Sequence, residues 1–226
     1  SDCLAPVCER TVRMLPELDG RGVASVAHAF AKAKLVGAGA WQDVWVALDQ
    51  GARRGLRDFN AQNLSNTVWA FATAGHATRA LFGAISDEVA CRGLREFNAQ
   101  DISNTAWAFA TAGHAPRALF GAISAEVARR ELREFKAQEL SITAWAFATA
   151  GQAPQALFGA ISAEVARRGL RDFNAQELSN TAWAFATVGH LPQALVDAIS
   201  AEVVRRGLRE FNAQDISNTA WAFATA

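Results

Sequence analysis

The chain has 226 residues, of which 51% are apolar and 19% charged, and this composition excludes an intrinsically disordered protein. Its 22 basic and 22 acidic residues give a formal net charge of zero. That balance argues against a protein that coats nucleic acid or an anionic membrane by bulk charge, because both modes need a basic surplus. If the chain binds such a partner, the arrangement of its charges must provide the attraction.

An internal repeat with a period of 38 residues dominates the chain. The tryptophans that mark it are Trp69, Trp107, Trp145, Trp183 and Trp221. Periods of this size are typical of solenoids, in which each repeat buries its apolar face only by stacking on its neighbours. No segment shows the period-two alternation of a strand. We therefore predict an all-α fold, a right-handed α-solenoid of paired antiparallel helices.

The repeats divide the chain into successive segments, which we interpret as one α-solenoid fragment over residues 1–226. A degenerate helix or N-terminal cap (1–21) and a divergent repeat with His28 in the tryptophan position (22–58) precede the full repeats at 59–96, 97–134, 135–172 and 173–210. Residues 211–226 begin a further copy. Since solenoids normally end in polar capping repeats, we expect a protein partner or a larger complex to cover the uncapped C-terminal end.

The first helix of each repeat, here called helix A, carries explicit start and stop signals. In the repeat 97–134, Asn98 is placed as the N-cap and Asp101 stands at the third helical position, where an acid favours the positive helix end. Gly113 suits the left-handed residue that follows the helix. Helix A is therefore expected to run from just after Asn98 to Ala112.

The second helix of each repeat, helix B, is expected to begin with a proline in its first turn, as at Pro116. Its C-terminus carries arginines and then a glycine followed by leucine, as in Gly169-Leu170, a pattern that predicts a Schellman contact. Glu131 replaces that glycine in one repeat, and we expect a cap weaker by about 1 kcal/mol there.

A helical wheel places two amides, a tryptophan and a threonine on one stripe of helix A, separate from the apolar stripe that meets helix B. Amides pair with base edges and aromatic faces stack on bases, so a short polar row on one helix per repeat is the geometry of a modular single-strand reader. The candidate amides are Gln62, Asn66, Gln100, Asn104, Gln138, Gln176, Asn180, Gln214 and Asn218. Ile142 replaces the asparagine in one repeat.

Each of these residue types can also have a structural role in place of RNA contact. A tryptophan in every copy of a helical repeat is more often an inter-repeat packing residue than a ligand contact. The amides could equally tie neighbouring helices together through side-chain hydrogen bonds as a structural ladder. Both alternatives stay open on the sequence alone.

Arginines concentrate at the ends of the B helices and form a second repeated row. Guanidinium groups suit phosphate, so this row is a further candidate for RNA contact. The candidates are Arg92, Arg95, Arg129, Arg130, Arg133, Arg167, Arg168 and Arg171. The alternative is that they offset the helix dipole and pair with carboxylates such as Glu126 and Glu164. Lys136, which replaces an asparagine, adds one more positive group.

No catalytic, cofactor or metal-binding constellation emerges from the sequence. The four histidines are spread along the chain without metal-ligand spacing, and neither a phosphate loop nor a dinucleotide fingerprint is present. No apolar run approaches the length of a membrane span, so we expect no membrane insertion. We expect a protein that is not an enzyme, uses no cofactor and holds no metal.

The helix A sequence of residues 98–110, with its Asn-Ala-Gln-Asp-Ile-Ser-Asn run leading to Trp-Ala-Phe-Ala and recurring every 38 residues, resembles the octotricopeptide repeat. The resemblance is strong over residues 59–226 and weak over 22–58. It implies an α-solenoid, characteristic of algae, that binds single-stranded organellar RNA in the chloroplast or mitochondrion for its stabilisation, processing or translation.

The resemblance has one testable consequence. If each repeat reads one nucleotide, nearly identical rows imply a nearly repetitive target, interrupted opposite Ile142.

The rival hypothesis is a non-catalytic protein–protein scaffold, such as a subunit of an organellar ribosome or a large membrane complex, and the neutral net charge suits it. Arginines neutralised by carboxylates beside an apolar strip would favour this scaffold.

Overall fold

A computed structural model describes residues 5–36 and 40–225 of the chain. The described residues contain α-helices and short 3₁₀ turns and no strand, so the all-α prediction is confirmed. The helices are α1 (Ala5–Met14), α2 (Gly20–Lys32), α3 (Ala40–Gly55), α4 (Ala61–Ala74), α5 (Arg79–Arg92), α6 (Ala99–Thr111), α7 (Arg117–Arg129), α8 (Ala137–Thr149), α9 (Gln155–Arg168), α10 (Ala175–Thr187), α11 (Gln193–Arg206) and α12 (Ala213–Thr225).

The chain forms two compact units, residues 1–119 and 120–226. In the first unit, the A helices pack in series, with α4 between α2 and α6, and the B helices follow the same order, with α3 against α1 and α5. In the second unit, α10 packs between α8 and α12, and α9 packs against α11. Within each unit, neighbouring helices therefore stack in sequence as an α-solenoid requires.

Phenylalanines fill the space between the two helix layers. In the first unit, the ring of Phe109 on α6 meets the ring of Phe82 on α5 edge to face, with centroids 4.9 Å apart. In the second unit, Phe185 on α10 meets Phe158 on α9 in the same way at 5.1 Å. All four rings are buried. These two A helices thus pack on the preceding B helix through an edge-to-face aromatic pair, which adds directional preference to burial.

The expected boundaries of helix A are confirmed at both ends of α6. The Asn98 Oδ1 atom accepts the Asp101 N–H at 2.8 Å, and the Asp101 carboxylate accepts the Asn98 N–H at 3.1 Å, which completes a capping box. At the C-terminus, the His114 N–H donates to the Phe109 carbonyl at 2.9 Å and Gly113 has a φ of 68°. This is a Schellman motif at the end of helix A.

The ends of helix B differ from the prediction in two details. Pro154 stands at the N-cap of α9 and not in its first turn. At the C-terminus, Gly169 has φ 74° and ψ −178°, so the predicted Schellman contact is wrong there. The chain leaves the helix in an extended conformation that is almost exclusive to glycine, because it must turn directly into the next helix A.

Glu131 stands at this position in the repeat 97–134 and adopts a different path. Its φ is −79°, and α7 ends at Arg129, so no residue with a side chain is forced to a positive φ. A 3₁₀ turn over Leu132–Glu134 then completes the connection, with the Glu134 N–H donating to the Glu131 carbonyl at 3.0 Å. The expected weak cap is therefore replaced by an earlier helix end and a rerouted turn.

Candidate nucleic-acid interface

The predicted amide–tryptophan stripe forms one surface in each unit, here called the A-helix ridge. Its members are Gln62, Asn66, Trp69, Thr73, Gln100, Asn104, Trp107 and Thr111 in the first unit, and Gln138, Ile142, Trp145, Thr149, Gln176, Asn180, Trp183, Thr187, Gln214, Asn218, Trp221 and Thr225 in the second. The glutamines and threonines are exposed and the asparagines are half-buried. The A-helix ridge therefore presents two amides about one helical turn apart on each of these A helices, except on α8, where Ile142 replaces the asparagine.

The tryptophans of the A-helix ridge contact one another from repeat to repeat. In the second unit, ring centroids are 6.3 Å apart for Trp145 and Trp183 and 6.4 Å apart for Trp183 and Trp221. In the first unit, Trp69 lies 6.4 Å from Trp107, and His28 continues the series at 5.1 Å from Trp69. The interpretation of these tryptophans as inter-repeat packing residues is confirmed, and their contacts fix the spacing of neighbouring A helices.

The ridge amides do not form the structural ladder that the sequence left open. Among the described residues, no amide of the A-helix ridge makes a side-chain hydrogen bond to a neighbouring helix. The one bond made by these amides joins Gln214 Nε2 to Asn218 Oδ1 at 2.7 Å within α12. The other amides keep their donors and acceptors available, which is the state that a ligand-binding surface requires.

Polar contacts between A helices lie on the buried side instead, and sequence reasoning missed them. The Ser179 hydroxyl on α10 donates to the Asp215 carboxylate on α12 at 3.1 Å, and both residues are buried. The equivalent acid in the first unit, Asp101, is also buried, and burial raises the pKa of its carboxyl. The only signal in the sequence was the recurrence of serine and of an acid at fixed positions.

One arginine at the end of each of three B helices is bound to the backbone of the turn that leads into its own repeat. These residues, Arg92, Arg168 and Arg206, are here called the staple arginines. Arg168 Nη1 donates to the Phe135 carbonyl at 2.7 Å, and its Nη2 donates to the Leu132 carbonyl at 2.9 Å. A guanidinium carries five donors in a planar fork, so it can satisfy several carbonyls at once.

Helix-end arginines, including the staple arginines Arg168 and Arg206, also pair with buried glutamates. Glu164 accepts from Arg167 Nε at 2.8 Å and from Arg168 Nε at 3.0 Å, and Glu126 and Glu202 hold the corresponding pairs in their repeats. The bond from Arg167 is the main reason that the pKa of Glu164 falls from 4.5 to about 2, against the opposing effect of burial. Pairing with carboxylates, the alternative to phosphate contact, is thus confirmed for Arg129, Arg130, Arg167 and Arg168.

The other candidate arginines lie in the turns that follow the B helices. Arg133 is exposed and pairs with Glu131. Arg171 is exposed, and its carbonyl accepts the Nη2 of Arg206 at 2.7 Å. Arg95 is exposed as well. Their contact with RNA stays a prediction, as it does for the amides of the A-helix ridge.

The described part of the chain holds no group of three or more His, Cys, Asp or Glu side chains placed to bind a metal ion. None of the helices in residues 5–36 and 40–225 combines the length and the apolar character needed to cross a membrane.

Comparison with known proteins gives one family. The family model of the RNA-editing substrate-binding complex 6 protein matches residues 29–225, which includes all the full repeats. No curated protein matches the chain. The match agrees with a helical-repeat protein associated with RNA, and it does not confirm the octotricopeptide repeat itself. The chain belongs to the RNA-editing substrate-binding complex 6 protein family.

Proposed function

We propose that this chain binds single-stranded RNA through the A-helix ridge of each unit. The observation that carries the proposal is the row of accessible amides without inter-helix hydrogen bonds, held beside tryptophans that contact one another at 6.3–6.4 Å. The family name supports the same conclusion, because it describes a complex that binds the substrate of RNA editing.

The tryptophans and the amides have different roles in the proposed binding. The indoles set the spacing between A helices, so the backbone positions that carry the amides are held at a regular spacing before RNA binds. Each amide offers a donor and an acceptor in one plane, which is the pattern that pairs with a base edge. The tryptophans of the full repeats, such as Trp107 and Trp183, are half-buried, and their accessible part offers an aromatic surface on which a base can stack.

The finer points of this proposal rest on the resemblance and the family. The octotricopeptide resemblance suggests a role in the stabilisation, processing or translation of organellar RNA. RNA editing in the family name is compatible with a mitochondrial location and gives no support to the chloroplast. The proposed role is binding without a catalytic step, because the repeats present nearly identical rows of amides and tryptophans, with Ile142 as a departure in α8.

Filter binding against the four homopolymeric RNAs and one mixed sequence, at a stated salt concentration, tests this proposal. Because the rows are nearly identical, we expect one homopolymer to bind at least tenfold more tightly than the others, from about 1–3 kcal/mol for each good base contact. Equal and weak affinity for all five RNAs would contradict sequence-dependent reading by the A-helix ridge.

A protein-binding role within a complex is a second candidate, favoured by two observations. The glutamate pairs neutralise much of the arginine row. In the second unit, Val204 on α11 is an apolar side chain that is 83% exposed. Co-purification before and after nuclease treatment separates the roles, because partners bound directly to the protein survive the nuclease and partners bridged by RNA do not.

A further inference from the structure

The stripe of α2 that corresponds to the A-helix ridge carries different residue types from those of the other A helices. In α2, the places of glutamine, asparagine, tryptophan and threonine are taken by four residues that are here called the α2 row: Arg21, Ser25, His28 and Lys32. Their spacing of i, i+4, i+7 and i+11 puts them on one side of the helix. Two cations, a hydroxyl and an imidazole thus replace the amides and the indole.

The α2 row continues the A-helix ridge of the first unit. α2 packs against α4, and α4 packs against α6. The ring of His28 lies 5.1 Å from that of Trp69, which in turn lies 6.4 Å from that of Trp107. A strand that follows the tryptophans of α6 and α4 therefore reaches the α2 row next.

The two cations of the α2 row are available to a ligand. Arg21 and Lys32 are exposed, and in residues 5–36 and 40–225 neither makes a side-chain hydrogen bond or an ion pair. A helix-end arginine such as Arg168, by contrast, is bound to backbone carbonyls and to Glu164. The donors of the Arg21 guanidinium and of the Lys32 ammonium group can therefore bind an anion.

Positive charge is in surplus around Lys32. α4 has no charged residue, and the acid of α6, Asp101, is buried. On α3, Asp49 is buried and bound by an arginine of its own helix, and Asp43 lines a cleft together with residues of α1. Lys34 is exposed just beyond the end of α2. Among the described residues, the helices packed on α2 therefore place no available carboxylate beside Lys32.

The acids at the other end of α2 leave Arg21 without an ion pair in the described residues. The Asp19 carboxylate accepts the Gly22 N–H at 2.7 Å and serves as the N-cap. Asp58, in the turn that packs on α2, lines a cleft with Arg54. Glu17 is exposed in the preceding turn. The charge of Arg21 is thus offset by no direct contact.

Arg21 stands where a cation opposes the helix dipole. It is the second residue of α2, and the first turn of a helix favours acids. Gln62 and Gln100, at the same place in α4 and α6, are uncharged. A residue that breaks a local rule without a structural return indicates a functional position.

His28 adds an aromatic ring and no charge to the α2 row at neutral pH. Burial, and to a smaller extent the charge of Lys32, lower the pKa of its imidazole from the ordinary value of 6.5. The imidazole is therefore neutral at pH 7, and it continues the series of aromatic rings beside Trp69. The charge of the row comes from Arg21 and Lys32.

We infer that the α2 row binds the backbone of the RNA strand whose bases contact the amides of α4 and α6, with Arg21 and Lys32 each bound to an internucleotide phosphate. This inference rests on the proposed function. Arginine, lysine and serine are all phosphate ligands, and the row lacks the amides that pair with base edges. Arg21 and Lys32 are about 16 Å apart along the helix axis, on opposite sides of His28, so they contact different phosphates.

The double variant Arg21→Gln, Lys32→Thr gives α2 the ridge residues of α4 and removes both cations. Binding of single-stranded RNA is measured by fluorescence anisotropy over a series of salt concentrations. We expect the slope of log K against log salt to become shallower by about 1.4, the contribution of two phosphates on a single strand, and the affinity to fall about 25-fold at a salt concentration of about 0.1 M. The order of preference among homopolymers should stay unchanged, because phosphate contacts carry no sequence information.

Arg79 and Arg117 provide a charge-matched control within residues 1–119. Both are exposed at the first residue of a B helix, and glutamine stands at this place in α9 and α11. The variant Arg79→Gln, Arg117→Gln removes the same charge from B helices and should keep the affinity within about twofold of the wild type. Equal losses in the two double variants would assign the effect to net charge and overturn the inference.

The thermal unfolding midpoint of the same proteins separates binding from folding. Because Arg21 and Lys32 are exposed and make no ion pair among the described residues, the midpoint of Arg21→Gln, Lys32→Thr should stay within about 2 °C of the wild type. If this variant does not fold, Lys32→Thr alone takes its place, with an expected change in the salt slope of about 0.7. A lower midpoint with an unchanged salt slope would overturn the inference.

The remaining outcomes distinguish this inference from the proposed function. A wild-type chain that binds no RNA removes both. Unchanged affinity in Arg21→Gln, Lys32→Thr, together with weaker binding in Asn104→Ala, Asn180→Ala, removes the α2 row and leaves the A-helix ridge. An altered order of preference among homopolymers would mean that α2 reads bases. If polyglutamate binds the wild type as tightly as RNA and loses affinity equally in the variant, the row binds an acidic protein, and the backbone assignment is overturned.

Discussion

The A-helix ridge and the ends of the B helices are both rows of polar side chains that recur every 38 residues, and they differ in where their hydrogen bonds go. The staple arginines donate to backbone carbonyls of the turn that leads into their own repeat, and the arginines beside them pair with buried glutamates. The amides of the A-helix ridge make no such bonds between helices in the described residues. Recurrence in the sequence therefore does not distinguish a structural side chain from a candidate ligand-binding one. The hydrogen-bond partners of each side chain make this distinction.

The largest effect on the B-helix ends is expected from Arg168→Ala. This change leaves the carbonyls of Leu132 and Phe135 without their donor and removes one partner of Glu164. Because each hydrogen bond to a charged group contributes about 1.5–3 kcal/mol, we expect the free energy of unfolding to fall by about 3 kcal/mol. Chemical denaturation of the purified variant measures the change.

Arg167 provides the matched control for this substitution. It precedes Arg168, its side chain is 60% exposed, and it pairs with the same Glu164. Arg167→Ala should lower the free energy of unfolding by less than about 1 kcal/mol, as for an exposed ion pair. Equal losses in the two variants would show that binding to the backbone carbonyls does not distinguish the staple arginines from their neighbours.

A fall in pH should also destabilise the B-helix ends, by less than Arg168→Ala does. The pKa values of Glu126, Glu164 and Glu202 are lowered to about 2 from 4.5, in each case mainly by a hydrogen bond from an arginine. Their contribution to stability is therefore complete above pH 4.5 and is lost as the pH falls from 4.5 towards 2.

Thermal unfolding midpoints recorded between pH 7 and pH 2 measure this loss of stability. The triple variant Glu126→Gln, Glu164→Gln, Glu202→Gln should be less stable than the wild type at neutral pH, and its midpoint should fall less over the acid range. The same acid dependence in both proteins would mean that other carboxyl groups control the transition. Salt should weaken the difference, because the arginine partners Arg129, Arg167 and Arg205 are more than half exposed.

Local signals in the sequence predicted the elements well. The capping box at Asn98, the left-handed Gly113 and the inter-repeat role of the tryptophans all follow from residue type and spacing. The conformation of Gly169 was mispredicted because a glycine after a helix suits more than one cap, and only the direction of the next helix selects between them.

The staple arginines could not be predicted from the sequence in the same way. Their partners are backbone carbonyls 33–36 residues earlier in the chain, and a carbonyl has no residue-type signature. The bond between Ser179 and Asp215 likewise joins two repeats, at a distance of 36 residues. Such contacts depend on how neighbouring repeats are stacked, which the pattern within a single repeat does not specify.

The smallest expected effect on stability belongs to the A-helix ridge. Asn104 and Asn180 make no side-chain hydrogen bond among the described residues and lie half-buried on helix surfaces. Replacing both by alanine should therefore change the free energy of unfolding by no more than about 0.5 kcal/mol, since alanine also favours the helix.

The RNA affinity of this double variant tests the central claim most directly. If the ridge amides contact bases, Asn104→Ala with Asn180→Ala should weaken binding to the preferred homopolymer at least tenfold, on the basis of about 1 kcal/mol or more for each lost contact, while the unfolding midpoint stays unchanged. Unchanged affinity, or a loss of stability in place of a loss of binding, would contradict the assignment of the A-helix ridge as the RNA-binding surface.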